Sequence, residues 1–437
     1  MARVYLDNNA TTPLLPEVLE AMLPYLRGGF GNASSIHSHG QATRAAVERA
    51  RESVARLIGA RASEIVFTSG GTEADNLAVF GVISGQLSAV SRQQNHIITS
   101  TIEHHAVLNA CRHLEALGYE VTYLAVDASG IVDPADVRRA LRDSTRLISV
   151  MMANNETGVV QAVAEIGAIA READVLFHTD AVQAAGKIRI NVDEIGCDLL
   201  TLSAHKLHGP QGVGALYVRK GTSLEAQMYG GRHERSRRAG TENVAGIVGM
   251  GAASEAALAG FARGDDLRIG ELRDRLERGL LEIEACSVNG RDAHLSQSAR
   301  RMGHPLFANG ADKNPHTTQS TRCMGHPRDS YPLRVPNTSN ICFEGIDGEA
   351  LVIALDLKGL AVSTGAACSS GAIEASHVLL AMGLSPERAR GSVRFSLGKM
   401  NSAEDVEFAL RVVPETVARL RELSPVWKEG QRFEVRG

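Results

Sequence analysis

The sequence predicts an α/β fold, with a large domain built on a mostly parallel sheet wrapped by helices and a smaller α+β domain beside it. Three observations predict it. Short apolar runs of strand type alternate with helix-period segments from about residue 65 to residue 218, the order that βαβ units require. Several of these runs end in polar residues, where open parallel sheets place their ligands. The 437 residues are 44% hydrophobic and 22% charged, which suits two ordinary globular domains. The expected division is 14–260 for the large domain, with 1–13 and 261–437 forming the small one.

A net charge of −4 gives no reason to expect a nucleic-acid partner. No apolar run is read as long enough for a membrane span. The start, MARVYLDNNATTP, lacks the basic-then-apolar build of a secretory leader. The six cysteines (111, 197, 286, 323, 342 and 368) are scattered without CxxC pairs. That argues against a disulfide framework or an ordinary zinc site and for a cytoplasmic setting.

Taken in order, Val4–Leu6 is a short apolar run stopped by polar turn formers and Pro13. Helical spacing follows over 16–26 and 40–58, separated by the glycine-rich loop 28–35. Residues 65–68 form a strand, Ser69-Gly70-Gly71-Thr72-Glu73 a turn, and 74–83 a helix. Strand, glycine turn, hydroxyl and helix is an arrangement that holds a phosphate on free backbone N–H groups. The alternation continues with strands at 96–99, 121–126, 147–152 and 175–178. Helices lie between them at 106–117, 133–141 and 163–172, the second with Asp133 as N-cap and Pro134 at its first position. Strands at 199–202 and 213–218 complete the pattern. A basic loop (233–243), a helical stretch (244–284), a strand (340–343) and a helix (348–357) follow. Ala361–Ser363 leads into a loop of small residues around Cys368. Residues 391–397 are a strand carrying Arg394, and 403–420 a closing helix kinked or broken at Pro414. Between 291 and 333 there is no periodicity, and Met-Gly-His-Pro occurs twice, at 302–305 and 324–327. This stretch reads as a disordered surface insertion. A metal site on His304, His316, Cys323 and His326 is a weaker reading, because the spacing matches no standard zinc pattern.

The candidate chemistry centres on Leu199–Gly214, LLTLSAHKLHGPQGVG. Lys206 follows a buried strand, flanked by Ser203 and His205 and then a glycine-rich turn. A desolvated lysine is a neutral amine that condenses with an aldehyde, and pyridoxal phosphate is the common aldehyde cofactor held this way. Such a cofactor also needs an acid for its ring nitrogen and a phosphate cradle. Asp180 at the end of the preceding strand and the Gly71-Thr72 turn supply both.

With those residues in place, the chain resembles the cysteine desulfurases of the NifS/IscS type, pyridoxal-phosphate enzymes of the class-V aminotransferase family. The matching runs are YLDNNATTP (5–13), FGNASSIH (30–37), EIVFTSGGTEADN (64–76), NNETG (154–158), HTDAVQAAGK (178–187), SAHKLHGPQGVGALYV (203–218), RRAGTEN (237–243), STGAACSSG (363–371) and GSVRFSLG (391–398). The resemblance implies the fold-type I, aspartate-aminotransferase-like transferase fold, and it implies roles. Lys206 holds the cofactor aldehyde and moves protons at the substrate Cα. Asp180 pairs with the ring nitrogen, Gln183 bonds the phenolic oxygen and His104 stacks on the ring. Gly71, Thr72, Ser203, Ala204 and His205 hold the phosphate. Thr241 reaches the partner subunit's cofactor, which implies a homodimer. Asn155 and Arg394 fix the carboxylate of L-cysteine. Cys368 takes its sulfur as a persulfide, leaves alanine, and passes the sulfur to a scaffold or carrier protein for iron–sulfur or other thio-cofactor assembly. The persulfide also makes Cys368 a candidate transient ligand of a nascent iron–sulfur cluster. His37, His39, His105, His178 and His208 are left out of the catalytic set. Two other readings share the lysine and the acid: an aminotransferase or selenocysteine lyase of the same fold, and a non-catalytic scaffold with a partner-binding insertion. The insertion is the main departure from the family pattern, and the small-residue loop departs from it only by small-for-small changes.

Overall fold

The computed structural model describes residues 3–84, 95–290, 333–365, 375–425 and 427. Cys368 and all but the last residue of the expected insertion lie outside the described residues.

The first strand, β1 (Val4–Tyr5), stands apart from the main sheet. That sheet has seven strands: β2 (Ile65–Thr68), β3 (His96–Ser100), β4 (Glu120–Leu124), β5 (Thr145–Ser149), β6 (Leu176–Asp180), β7 (Leu199–Ser203) and β8 (Gly214–Val218), in the order β2-β8-β7-β6-β5-β3-β4. The pairs from β7 through β4 are parallel, and β8 runs antiparallel to both β7 and β2. Parallel neighbours need long crossovers, whereas β7 returns to β8 through a short turn. The helices of this unit are α1 (Pro16–Arg27) and α2 (Ser38–Leu57) before β2, α3 (Gly71–Ser84) after it, the crossovers α4 (His105–Ala116), α5 (Pro134–Ala140), α6 (Val163–Glu172) and α7 (Val192–Ile195), and α8 (Val244–Arg263) after β8; the short α7 was not expected from the sequence. The α5 start is built as expected, with Asp133 Oδ1 accepting the Ala135 N–H at 2.9 Å and Pro134 in the first turn.

Four other features differ from the sequence reading. The helix expected over 74–83 begins at Gly71, so Gly71 and Thr72 form its first turn. The helical stretch 244–284 is two helices, α8 and α9 (Asp265–Leu280), because Gly264 takes φ +76° and caps α8 in the left-handed region. By length and composition α8 is long and apolar enough to cross a membrane, against the expectation of no such run. It packs its buried side on α1 and α2. Finally, the last helix runs unbroken through Pro414. Val412, Val413, Thr416 and Val417 are buried on both sides of the proline and hold it in line.

A second core gathers α9 with β9 (Cys286–Val288), β10 (Thr338–Phe343), α10 (Gly348–Leu357), β11 (Leu360–Ala361), β12 (Ser392–Ser396) and α13 (Ala403–Leu423), while α11 (His377–Ala381) and α12 (Pro386–Arg390) pack in a small separate cluster with Ile102 and Met151. β10 is the centre of an antiparallel three-stranded sheet between β12 and β9. Phe343, Phe395, Leu351, Leu355 and Val413 pack there with Leu6 from the N-terminus. Full burial of each such side chain contributes about 1.5–3 kcal/mol, so this short N-terminal segment is firmly held. β1 pairs in parallel with β11, and Asp7 bridges to Ser396. Residues 8–12 are thereby laid across the ends of β6 and β7.

Candidate active site

β6 and β7 lie side by side in parallel, with Asp180 opposite Thr201. Their C-terminal ends therefore deliver Asp180 and Ser203 to one edge of the sheet, and the 3-10 turn Ala204–Lys206 carries His205 and Lys206 just past it. Ala204 is fully buried, and its carbonyl accepts from the Leu207 and Gly209 N–H groups, so the turn is fixed. Gly214, at the start of β8, lies so close to the Gly70 backbone that a Cβ would stand 2.6 Å from the Gly70 carbonyl carbon. Only glycine permits that approach. It presses the Ser69–Thr72 turn against the lysine turn. A Cβ on Gly71 would meet Val182 Cγ2 at 3.0 Å and Ser203 Cβ at 3.5 Å. The N-terminus of α3 thus faces Ser203, whose Oγ is buried without a hydrogen-bond partner. A helix N-terminus beside an unused hydroxyl is a cradle for an anion.

Lys206 Nζ donates to the carbonyls of Asn9 and Ala10, the second at 2.6 Å. Lys187 is close by, and its Nζ donates to Gln183 Oε1 at 2.6 Å and Asn9 Oδ1 at 3.0 Å. Arg394, on β12, sends Nη2 to Asp7 Oδ1 at 2.7 Å and Nη1 to the Asn155 carbonyl at 3.0 Å, while its Nε is buried without a partner. Burial holds Lys187 well below the usual lysine range, and the charges of Lys206 and Arg394 push the same way. An interior lined by these basic groups, with the Arg394 guanidinium among them, is suited to an occupant with anionic groups.

The floor is acidic. Burial raises Asp180 to about 6, against the opposing effects of the Val182 N–H bonded to it and the Lys206 charge. Asp75, on α3, is raised well above the carboxylate range by burial and then by Asp180. Glu103 is raised to about 8 by burial, although Ser100 Oγ and the Met151 N–H both bond its Oε1. His104 is the N-cap of α4, its Nδ1 accepting the Ala106 N–H at 3.1 Å. Burial, with help from the Lys206 charge, lowers its pKa to about 4. The ring is therefore neutral near pH 7, with its proton on Nε2.

The structure brings Asp180, Gln183, Ser203, Ala204, His205 and Lys206 together, with Gly71 against Ser203 and Thr72 exposed beside it in the first turn of α3. Asn155 meets Arg394 through its backbone. Thr241 is exposed and stands in the loop after Gly240. That loop is tied to the cradle by Arg238, which forks to both Glu73 carboxylate oxygens at 2.8 and 3.2 Å. Cys368 lies outside the described residues. Sequence reasoning missed Asn9, Lys187 and Asp7. Lys187 had a usable signal, standing four residues after Gln183 in the same run. Asn9 and Asp7 read only as turn formers.

The chain matches the model of the aminotransferase class-V family over residues 4–302 and 319–408. It is 47% identical to a protein named cysteine desulfurase IscS from Dictyoglomus turgidum, over 98% of this chain and 97% of that one. Another of that name, from Methanosarcina thermophila, is also 47% identical, over 97% and 94%. Among solved structures, a NifS-like protein superposes with a TM-score of 0.80 at 34% identity, covering 96% of this chain and all of that one. A structure titled SspA in complex with cysteine gives 0.68 at 33%, covering 91% and 99%.

Proposed function

We propose that this chain, which belongs to the aminotransferase class-V family, is a pyridoxal-phosphate-dependent cysteine desulfurase. One observation carries the reading. Lys206, Asp180 and an anion cradle meet at one sheet edge, in a chain whose near-full-length relatives are cysteine desulfurases. The residues present fit the cofactor. The partnerless Ser203 Oγ and the α3 N-terminus suit a phosphate, and a cationic ring nitrogen would return the buried Asp180 to its charged form.

Bound there, pyridoxal phosphate supplies an aldehyde and a ring that draws electrons from the substrate's Cα and Cβ. Lys206 would hold that aldehyde, and its amine would move the proton at the substrate Cα. Asp180 keeps the ring nitrogen protonated, and Gln183 donates to the phenolic oxygen. Gly71, Thr72, Ser203, Ala204 and His205 hold the phosphate, and neutral His104 lies against the ring. Arg394 and Asn155 hold the carboxylate of L-cysteine, a task suited to a guanidinium fork. The Cys368 thiolate attacks the substrate sulfur. An S–S bond forms as the Cβ–S bond breaks, and the released electron pair takes up a proton to become the methyl group of alanine. Cysteine plus thiol gives alanine plus persulfide, so no external oxidant enters. The persulfide then passes to an acceptor protein for iron–sulfur or other thio-cofactor assembly.

A homodimer belongs to the same proposal. Phe30, Ile36 and Tyr229 stand 82%, 91% and 77% exposed, and Ala33 and Ser34, between the first two, line one cavity with Arg232 and with Glu242, the neighbour of Thr241. Large apolar side chains grouped in this way favour a second copy as their cover. The decisive experiment is mass spectrometry after incubation with L-cysteine. Cys368 should gain one sulfur atom, with alanine released in equal amount. Cys368→Ser should bind cofactor yet release neither alanine nor sulfide; full activity in that variant would sink the reading.

A further inference from the structure

Gln183 is 6% exposed and stands three residues after Asp180. A carboxamide can be turned either way round, offering oxygen or nitrogen to its neighbour. Here the choice is imposed from behind. Lys187 Nζ donates to Gln183 Oε1 at 2.6 Å and to Asn9 Oδ1 at 3.0 Å. The opposite end of the Gln183 amide lies against the Asn9 backbone carbonyl, which only accepts, so that end is the nitrogen and the oxygen is the end that faces Lys187, which donates to it. The other end of the amide, Nε2, donates one proton to the Asn9 carbonyl at 3.0 Å and keeps a second for the site. Asn9 is equally constrained. It is 2% exposed, its Oδ1 also accepts from Asn337, and its Nδ2 donates to Thr338 Oγ1 at 2.8 Å and the Asn155 carbonyl. The Asn9 carbonyl also receives Lys206 Nζ. The chain from Lys187 to Gln183 and through Asn9 to Lys206 is therefore a closed set of donors and acceptors with one orientation.

We propose that Lys187 is a positioning residue that fixes the Gln183 amide with its nitrogen toward the site, committing it as a donor to the phenolic oxygen of the bound cofactor. This rests on the cofactor reading above. A donor at that oxygen stabilises its anionic form. The titratable and charged groups facing Lys187 are Lys206 and Arg394, with Asp7 paired to the latter, His205 and His208, and, across the cavity they share, Asp265, Asp266 and Lys399.

The test is a double-mutant cycle read by absorbance. The parent, Lys187→Met, Gln183→Ala and the double variant are loaded with pyridoxal phosphate, and the visible band is titrated with pH. Each single variant should raise the midpoint by about one pH unit, the scale of one hydrogen bond to a charged acceptor. The double variant should shift no further than Gln183→Ala alone. Lys187→Arg, which keeps a donor, should stay near the parent's midpoint. Unmoved midpoints, shifts that add in the double variant, or an arginine variant that behaves like methionine would each overturn the role. A parent that binds no pyridoxal phosphate overturns the cofactor reading and this inference together. A parent that binds it, with Lys187→Met unmoved, overturns this inference alone.

Discussion

Replacing Glu103 by glutamine should make the protein progressively more stable than the parent as pH rises. The carboxyl is completely buried, and both of its donors, Ser100 Oγ at 2.6 Å and the Met151 N–H at 2.9 Å, bond the same oxygen, Oε1. Oε2 has no partner. A glutamine keeps the acceptor that is used and replaces the oxygen that is not. In the folded chain the acid holds its proton until about pH 8, against 4.5 for an ordinary glutamate. Between these values the unfolded chain has lost a proton that the folded chain retains. This group therefore lowers the parent's unfolding free energy by about 1.4 kcal/mol per pH unit on the way up. The loss reaches about 5 kcal/mol near pH 8 and then levels off. Urea unfolding of the cofactor-free protein, followed by far-UV circular dichroism at fixed concentration, gives the difference between variant and parent; titrations common to both cancel. That difference should be small near pH 5 and grow steadily to about pH 8. Parallel profiles would mean that Glu103 ionises normally in the folded chain and that its burial has been misjudged.

Two further outcomes follow from the site. Asp180→Asn should weaken pyridoxal phosphate binding by about 10- to 100-fold, the worth of one charge-assisted hydrogen bond, read by fluorescence titration of the cofactor-free protein; unchanged affinity would remove the acid from its role. Arg394→Lys should raise KM for L-cysteine by about tenfold with a smaller change in kcat, because an ammonium cannot reproduce the fork. Steady-state alanine release measures both constants, and a fall in kcat alone would contradict a role in holding the carboxylate.

The main sheet was legible because its strands are apolar runs with polar ends, and local pattern is enough to find these. The ends themselves, Asp180, Ser203 and Lys206, carried most of the site. Pro414 was misjudged because helix propensity is local, whereas the packing of Val412, Val413 and Val417 that overrides it is not. The 244–284 stretch gave no break signal stronger than one glycine among several, and only the φ of Gly264 separates the two helices. Asn9 and Asp7 were hidden for a different reason. Their run, YLDNNATTP, matches the family pattern, but it does not tell their roles, since their partners, Lys187, Asn337 and Arg394, lie more than a hundred residues away. Their importance exists only once β1 has paired with β11.

That pairing imposes an order on synthesis. The carbonyls that receive Lys206 leave the ribosome long before what anchors them, β11 and the Ser396 end of β12. Until then the N-terminal segment has no strand to join and Leu6 no core to enter. A nascent chain can complete the seven-stranded sheet long before it owns a finished lysine pocket. Competence to hold the cofactor thus arrives in a single late step, and a chain truncated before β12 would keep its largest sheet and lose its site.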